Sequence, residues 1–300
     1  MATTPGKCRE INAVQEVELS ETEAKFLVPD ISKLPSDILH ALRTGAAHPS
    51  IQRRGFVAQE YLPVNRQNLE RFFSLLNEAG IPFGSKTQQD EYLVPGKAKE
   101  IRMMSKSIKI GDTKTVIFQA TVKGSGGLSV RQIESFENLT PDQVQKMRSI
   151  FESLRPEVSS VARKVYFEVV ATAHDGQQVL RRRDGTPYTV EIDMFLGKHG
   201  IEHGPDFVNA EIEFHGATPE EALAEATLWQ RDPLQRPSYF SEDLTEAEGV
   251  KSREIAVRGP PEFVTSALAP YQGINRPIFE EIAREFSTWA DSDVTKLVLP

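Results

Sequence analysis

The chain has 300 residues, 39% of them hydrophobic and 26% charged, with a formal net charge of −8. That length suffices for one large domain or two ordinary ones with a real core, and the acidic balance argues against a protein that coats nucleic acid non-specifically. A single cysteine, Cys8, excludes an internal disulfide and argues against a thiolate zinc site; no apolar run is long enough to span a bilayer, and Met1 to Arg9 hold no apolar core of a signal peptide. A cytoplasmic chain with no membrane partner is expected.

Residues 1–14 read as a flexible tail. Glu21 to Val28 alternate strictly: Glu21, Glu23 and Lys25 share one face of a strand, and Thr22, Ala24, Phe26 and Val28 the other, up to a stop at Pro29. Ser36 to Leu42 predict a short helix with Ser36 as its cap. A strand follows at Gly55–Leu62, then an amphipathic helix over Asn65–Ala79, closed by Gly80. Lys97–Ile110 and Lys114–Lys123 form a hairpin around Gly111-Asp112-Thr113, and Ser129–Phe136 is the next strand. Thr140-Pro141-Asp142-Gln143 is a capping box for a helix to Leu154 that packs outside the sheet.

In the strand Val161–Thr172, the apolar face of Val165, Phe167 and Val169 puts Lys164, Tyr166 and Glu168 on the other side, and Arg163 outside. Val190–Phe195 carries Glu191 and Asp193 on one face, and Ala210–Phe214 carries Glu211 and Glu213. Arg181-Arg182-Arg183 stand at a hairpin tip, where one of them could reach a ligand. His199 and His203 have the spacing of a helical zinc pair, but Gly200 and Gly204 argue for a loop. Thr218 caps a helix over Glu220–Trp229, and Ile278–Trp289 is a further amphipathic helix.

Same-sign carboxylate pairs on several strands would repel one another unless cations hold them. The pattern suggests an oxygen-ligand site for Mg2+ or Mn2+. Charges on one face and apolar residues on the other suit a closed antiparallel barrel with a charged lumen and helices outside. A lumen with both carboxylates and Lys/Arg suits a metal-bound polyanion.

The ordered set Glu21-x-Glu23-x-Lys25, Gln59-Glu60-Tyr61-Leu62, Ile101-Arg102, Thr121-Val122-Lys123-Gly124, Lys164-x-Tyr166, Glu191-x-Asp193 and Glu211-x-Glu213 resembles the CYTH superfamily, the triphosphate tunnel metalloenzymes. The resemblance covers residues 19–230 approximately. It implies an α+β fold, a closed or nearly closed eight-stranded antiparallel tunnel over residues 15–240, relative to which 63–95 read as a helical insertion; residues 241–300, beyond the resemblance, read as a C-terminal helical extension packed on the barrel. By position, Glu21, Glu23, Asp193, Glu211, Glu213 and, in second rank, Glu191 would bind metal. Lys25, Arg102, Lys123, Arg131, Lys164 and Arg183 would bind the substrate, with Lys25, Glu21 and Glu23 at the reaction centre and Lys25 orienting the attacking water. Arg131 and Glu134 cannot share a face without a bulge, and the family's second arginine beside Lys164 is missing.

The activity implied is metal-dependent hydrolysis of a small-molecule triphosphate: inorganic triphosphate, a nucleoside triphosphate or thiamine triphosphate. Two alternatives stay open: an adenylyl cyclase of the family's other branch, which would need an adenine pocket, and a catalytically weak nucleotide- or polyphosphate-binding module. A homodimer is compatible with the sequence.

Overall fold

The computed structural model describes residues 22–81, 83–124, 129–134, 141–174, 176, 178–182, 184–196, 205–214, 219–232 and 236–299. Chain order is β1 (Thr22–Leu27), α1 (Ser36–Thr44), β2 (Ile51–Leu62), α2 (Arg66–Glu78), α3 (Lys86–Tyr92), β3 (Ala98–Ile110), β4 (Thr113–Gly124), β5 (Ser129–Glu134), α4 (Pro141–Leu154), β6 (Ser160–Val170), β7 (Thr189–Leu196) and β8 (Phe207–Phe214). Five more helices follow: α5 (Pro219–Arg231), α6 (Ser252–Arg258), α7 (Glu262–Leu268), α8 (Gln272–Ser287) and α9 (Ser292–Val298). No described helix is long and apolar enough to cross a membrane.

The fold is α+β. All eight strands join one antiparallel sheet in the order β1-β8-β7-β6-β2-β3-β4-β5. Among the described residues no ladder joins β1 to β5, so strand pairing does not close the sheet into the expected barrel. The free edge of β1 is covered instead by residues 241–244: Leu27 N–H donates to Glu242 O at 2.8 Å, Ser241 N–H to Leu27 O at 2.9 Å, and Leu244 N–H to Lys25 O at 2.7 Å. An edge strand left bare would expose unpaired amides and carbonyls, and this segment satisfies them.

Period-two alternation divides the sheet into two faces. The outer face is apolar. Ala24, Phe26, Phe56, Phe167, Ile192, Met194, Ala210 and Ile212 pack under α1, α5, α8 and α9, while Ile101, Met103, Phe118, Ala120 and Val122 pack under α2 and α4. Arg163 lies on this side and donates from Nε to Leu297 O at 2.8 Å. The predicted cap at Ser36 is corrected: α1 has Pro35 at its N-cap with no side-chain bond, and Ser36 is its first residue. Residues 66–92 supply the outer core through Leu69, Phe72, Phe73 and Leu76.

The inner face carries the charges but is apolar at one end. Leu27, Tyr61, Ala162, Phe195 and Phe207, one from each of five adjacent strands, meet Leu244, Val250, Ile255, Val264 and Leu268 in a single cluster. A flat sheet would spread β1 and β2 about 19 Å apart. Meeting around one plug requires strong curvature. Gly55 belongs to the tight part of the curl: a Cβ there would sit 2.0 Å from Ser107 O, so any side chain would collide with the neighbouring strand.

The C-terminal helix is clasped to α4. Asp291 caps α9 by accepting from Asp293 N at 3.1 Å and Val294 N at 3.2 Å, and Arg148 Nη2 donates to its other oxygen at 3.2 Å. Asp291→Ala should therefore lower the stability by about 1–2 kcal/mol, measured as a shift in urea midpoint with an unchanged slope. An unchanged midpoint would mean that α9 is held by its apolar side alone.

Candidate metal and polyanion site

Strand register decides which charges face one another. Arg53 stands opposite Glu168, Glu168 opposite Glu191, Glu191 opposite Glu211, and Glu211 opposite Lys25. One row thus crosses five strands, β2-β6-β7-β8-β1, as Arg–Glu–Glu–Glu–Lys. Behind it, toward the plug, lie Tyr166, Asp193 and Asn209. In front lie Glu23 and Glu213, opposite each other. Like charges directly opposite across strands are destabilising, and here three carboxylates are consecutive.

Two lysines partly neutralise the acids. Lys25 Nζ is 2.6 Å from Glu23 Oε1 and 2.6 Å from Glu211 Oε1. Lys164, buried with Asp193, pairs with Asp193 Oδ2 and lies 4.6 Å above the Phe195 ring centre. Asn209 Nδ2 donates to Glu211 Oε1 at 2.8 Å. Asp193 Oδ1 is buried and has no hydrogen-bond partner among the described residues. Its second lone-pair set is desolvated and unused, which is costly unless a cation or donor fills it.

The proton affinities follow from this arrangement. Burial first, then Asp193 and Glu211, push the Glu191 carboxyl up to about 8, against the opposing pull of Lys106 and Lys164. Glu211 is half-buried, but Lys164 and Lys25 outweigh that desolvation and hold it down at about 2. For Lys164, burial works against the charge, and Asp193, Glu211 and Glu191 overcome it, so its ammonium stays above the usual lysine value. The row therefore holds one proton-binding carboxyl beside a firmly ionised one. That is the state expected of an acid cluster short of positive charge.

One oxygen each of Glu191, Asp193 and Glu211 lies within 4.8 Å of the others. A divalent ion with oxygen ligands at roughly 2.0–2.6 Å spans that separation. Beside the trio opens a cavity of about 150 Å³ lined by Glu23, Arg53, Glu168, Arg182, Thr189, Glu191, Glu211 and Glu213.

The other sequence-derived candidates fall as follows. Glu23 is in the cavity wall, tied to Lys25. Glu213 is exposed at the outer end of β8 and is not part of the trio. Arg102 and Lys123 share the inner face but stand beyond β2, around Glu100: Arg102 Nη1 is 3.9 Å and Lys123 Nζ 3.7 Å from Glu100 Oε1. Arg102 Nε is buried without a hydrogen-bond partner among the described residues. Arg131 stands in register opposite Thr121, an inner-face position, while Glu134 is opposite Phe118 on the outer face. Glu21, Arg183, His199, His203, Thr140 and Thr218 lie outside the described residues.

Sequence reading missed Arg53, chose Arg183 rather than Arg182 from the arginine run, and gave Glu168 no role. Arg53 lies before the expected start of β2, which in fact begins at Ile51. Extending the alternation back from Tyr61 through Gln59, Val57 and Gly55 would have placed it on the inner face.

No protein-family model matches the chain, and no curated protein does. Among solved structures, the PH1819 protein from Pyrococcus horikoshii OT3 is similar over 74% of this chain and 92% of that one, at 12% sequence identity and a TM-score of 0.34. A likeness of that degree does not bear on the chemistry.

Proposed function

We propose that the chain hydrolyses a triphosphate with the help of Mg2+ or Mn2+, on a curled sheet that approaches the tunnel of the CYTH superfamily. The observation that carries this reading is the Arg53–Glu168–Glu191–Glu211–Lys25 row, with the unsatisfied oxygen of Asp193 directly behind it. A plain structural role does not account for three facing carboxylates, because burying them costs stability that a cation returns.

Glu191, Asp193 and Glu211 would hold the metal, with Glu23 beside them. When bound, the ion supplies charge neutralisation at the phosphoryl group and an acidified water. Lys25 and Lys164 are paired directly with acids of the trio. They would turn from their carboxylates to the non-bridging oxygens of the phosphate chain. Arg102 and Lys123, paired meanwhile with Glu100, would take its inner end, with Arg131 added by its register position on the next strand. Lys25, whose ammonium touches two carboxylates of the site, would also orient the attacking water. Glu21 and Arg183 extend the set by sequence position.

Among the described residues, the cavity is lined only by charged side chains and one threonine. This favours hydrolysis over the alternative, an adenylyl cyclase, because adenine would find no apolar or aromatic surface there. A second alternative, a binding module without turnover, draws on the fact that Lys25 and Lys164 are already paired with the acids. The deciding experiment incubates the full chain with inorganic triphosphate, ATP or thiamine triphosphate and Mg2+ or Mn2+. Metal-dependent orthophosphate release is expected. Cyclic AMP with pyrophosphate would replace the hydrolase by the cyclase, and saturable binding without product would leave a module.

A further inference from the structure

Several described arginines outside the cavity are held by close acceptors. Arg54, on the outer face, donates to Gly45 O at 2.8 Å and Ala41 O at 3.2 Å. Arg148 is held by Asp291 and Asp293, Arg71 by Glu157 and Ser153 O, and Arg163 by Leu297 O. The two arginines of the cavity wall are not. Arg53, next in sequence to Arg54 but on the inner face, makes no hydrogen bond to the described residues. Its one ion pair among the described residues runs through Nε to Glu168 Oε2 at 3.5 Å, which leaves both terminal nitrogens without a hydrogen bond to those residues. Arg182 touches Glu213 O at 3.4 Å and rests 5.4 Å from the Tyr188 ring centre, while its Nε is buried and has no hydrogen-bond partner among the described residues.

Position adds to this. The inner face is stopped at one end by the apolar plug of α6 and α7. Away from that plug, Arg53 ends the charged row and Arg182 lies against Glu213 O, and both line the cavity. Arg53 is about half exposed (side chain 51%). Guanidinium groups with free, planar donor pairs suit phosphate oxygens, which they bind in a forked geometry. Glu168 Oε2, the oxygen nearest to Arg53, also accepts from Tyr166 Oη at 3.2 Å.

We propose that Arg53 and Arg182 form an anion subsite at the mouth of the cavity, which takes the outermost phosphoryl group of a phosphate chain whose inner part sits on the carboxylate row. The inference rests on the triphosphate reading above. It implies that the phosphate at the mouth is unesterified, so that the site prefers a chain with a free terminal phosphate there.

The test uses the full chain with Mn2+ and inorganic triphosphate as the probe, followed by calorimetric titration. Arg53→Gln and Arg182→Gln should each weaken triphosphate binding about tenfold, and the double variant about a hundredfold. Mn2+ affinity in the absence of triphosphate should stay within about twofold of the parent. Arg53→Lys should restore part of the loss, because a point charge replaces the fork. Unchanged triphosphate binding by the double variant would overturn the subsite. So would an equal loss of Mn2+ affinity, since the arginines would then act only by shaping the carboxylates. A parent protein that binds Mn2+ but no triphosphate would overturn the triphosphate reading itself, and the subsite with it.

Discussion

Replacing Glu191 by Gln is expected to abolish Mn2+ binding and to cut metal-dependent triphosphate turnover by at least about a hundredfold, while leaving the metal-free protein as stable as before or more so. Glu191 faces Glu168 on one side and Glu211 on the other, and burial with Asp193 raises its carboxyl to about 8. In the metal-free fold near neutral pH it is protonated, and glutamine imitates that neutral form. The sign follows by linkage. An acid with its ordinary value of 4.5 in the unfolded chain and about 8 in the fold binds more protons when folded between those two values. Its contribution to stability is therefore complete below about 4.5, falls as pH rises through that window, and is gone above about 8. Glu191→Gln removes this slope. Saturating Mn2+ should also reverse it in the parent, because a metal ligand must be ionised. Urea denaturation across that pH range, with chelator or with Mn2+, measures both effects. A parent whose metal-free stability does not fall with pH would mean that water reaches Glu191. A variant that still binds Mn2+ normally would remove Glu191 from the ligand set.

Lys164→Met should be the most destabilising single change at the site, at about 3–5 kcal/mol. Lys164 and Asp193 are both buried and paired, and Lys164 also opposes Glu211 and Glu191. Removing the ammonium leaves the buried Asp193 carboxylate without its paired cation. Adding Asp193→Asn should recover much of the loss, because the nearest stranded charge is then gone. Lys25→Met should cost less, since its side chain keeps 21% exposure and water can replace part of the ion pair. Denaturant midpoints of the three variants, in the absence of metal, test this order. Equal losses for Lys25→Met and Lys164→Met would mean that burial does not separate the two pairs.

Faces were legible in the sequence because they are local. Glu23 and Lys25 oppose Ala24 and Phe26 whatever the strand pairs with, and the apolar side of Val165 and Phe167 commits Lys164 inward and Arg163 outward. The hairpin of β3 and β4 and the helices α2, α4 and α5 were legible for the same reason: each carries its own period and its own stop signals. The cap of α1 was not, because both Pro35 and Ser36 suit a helix start, and backbone geometry decides between them.

Register was not legible. Glu191 ranked second by sequence position, yet pairing with both β6 and β8 puts it at the centre of the acid row. Glu213, two residues from Glu211 and ranked above Glu191, falls to the exposed end opposite Glu23. Arg53 meets Glu168 only because β2 pairs with β6, over a hundred residues later in the chain. The apolar plug depends on α6 and α7 reaching across five strands, which no local pattern in either helix announces. Alternation along one strand settles which side a charge is on, since that costs or saves burial within a few residues. Which charges then meet is set by long-range backbone pairing, and that pairing is chosen by the apolar outer face, whose side chains carry no information about the acids behind them.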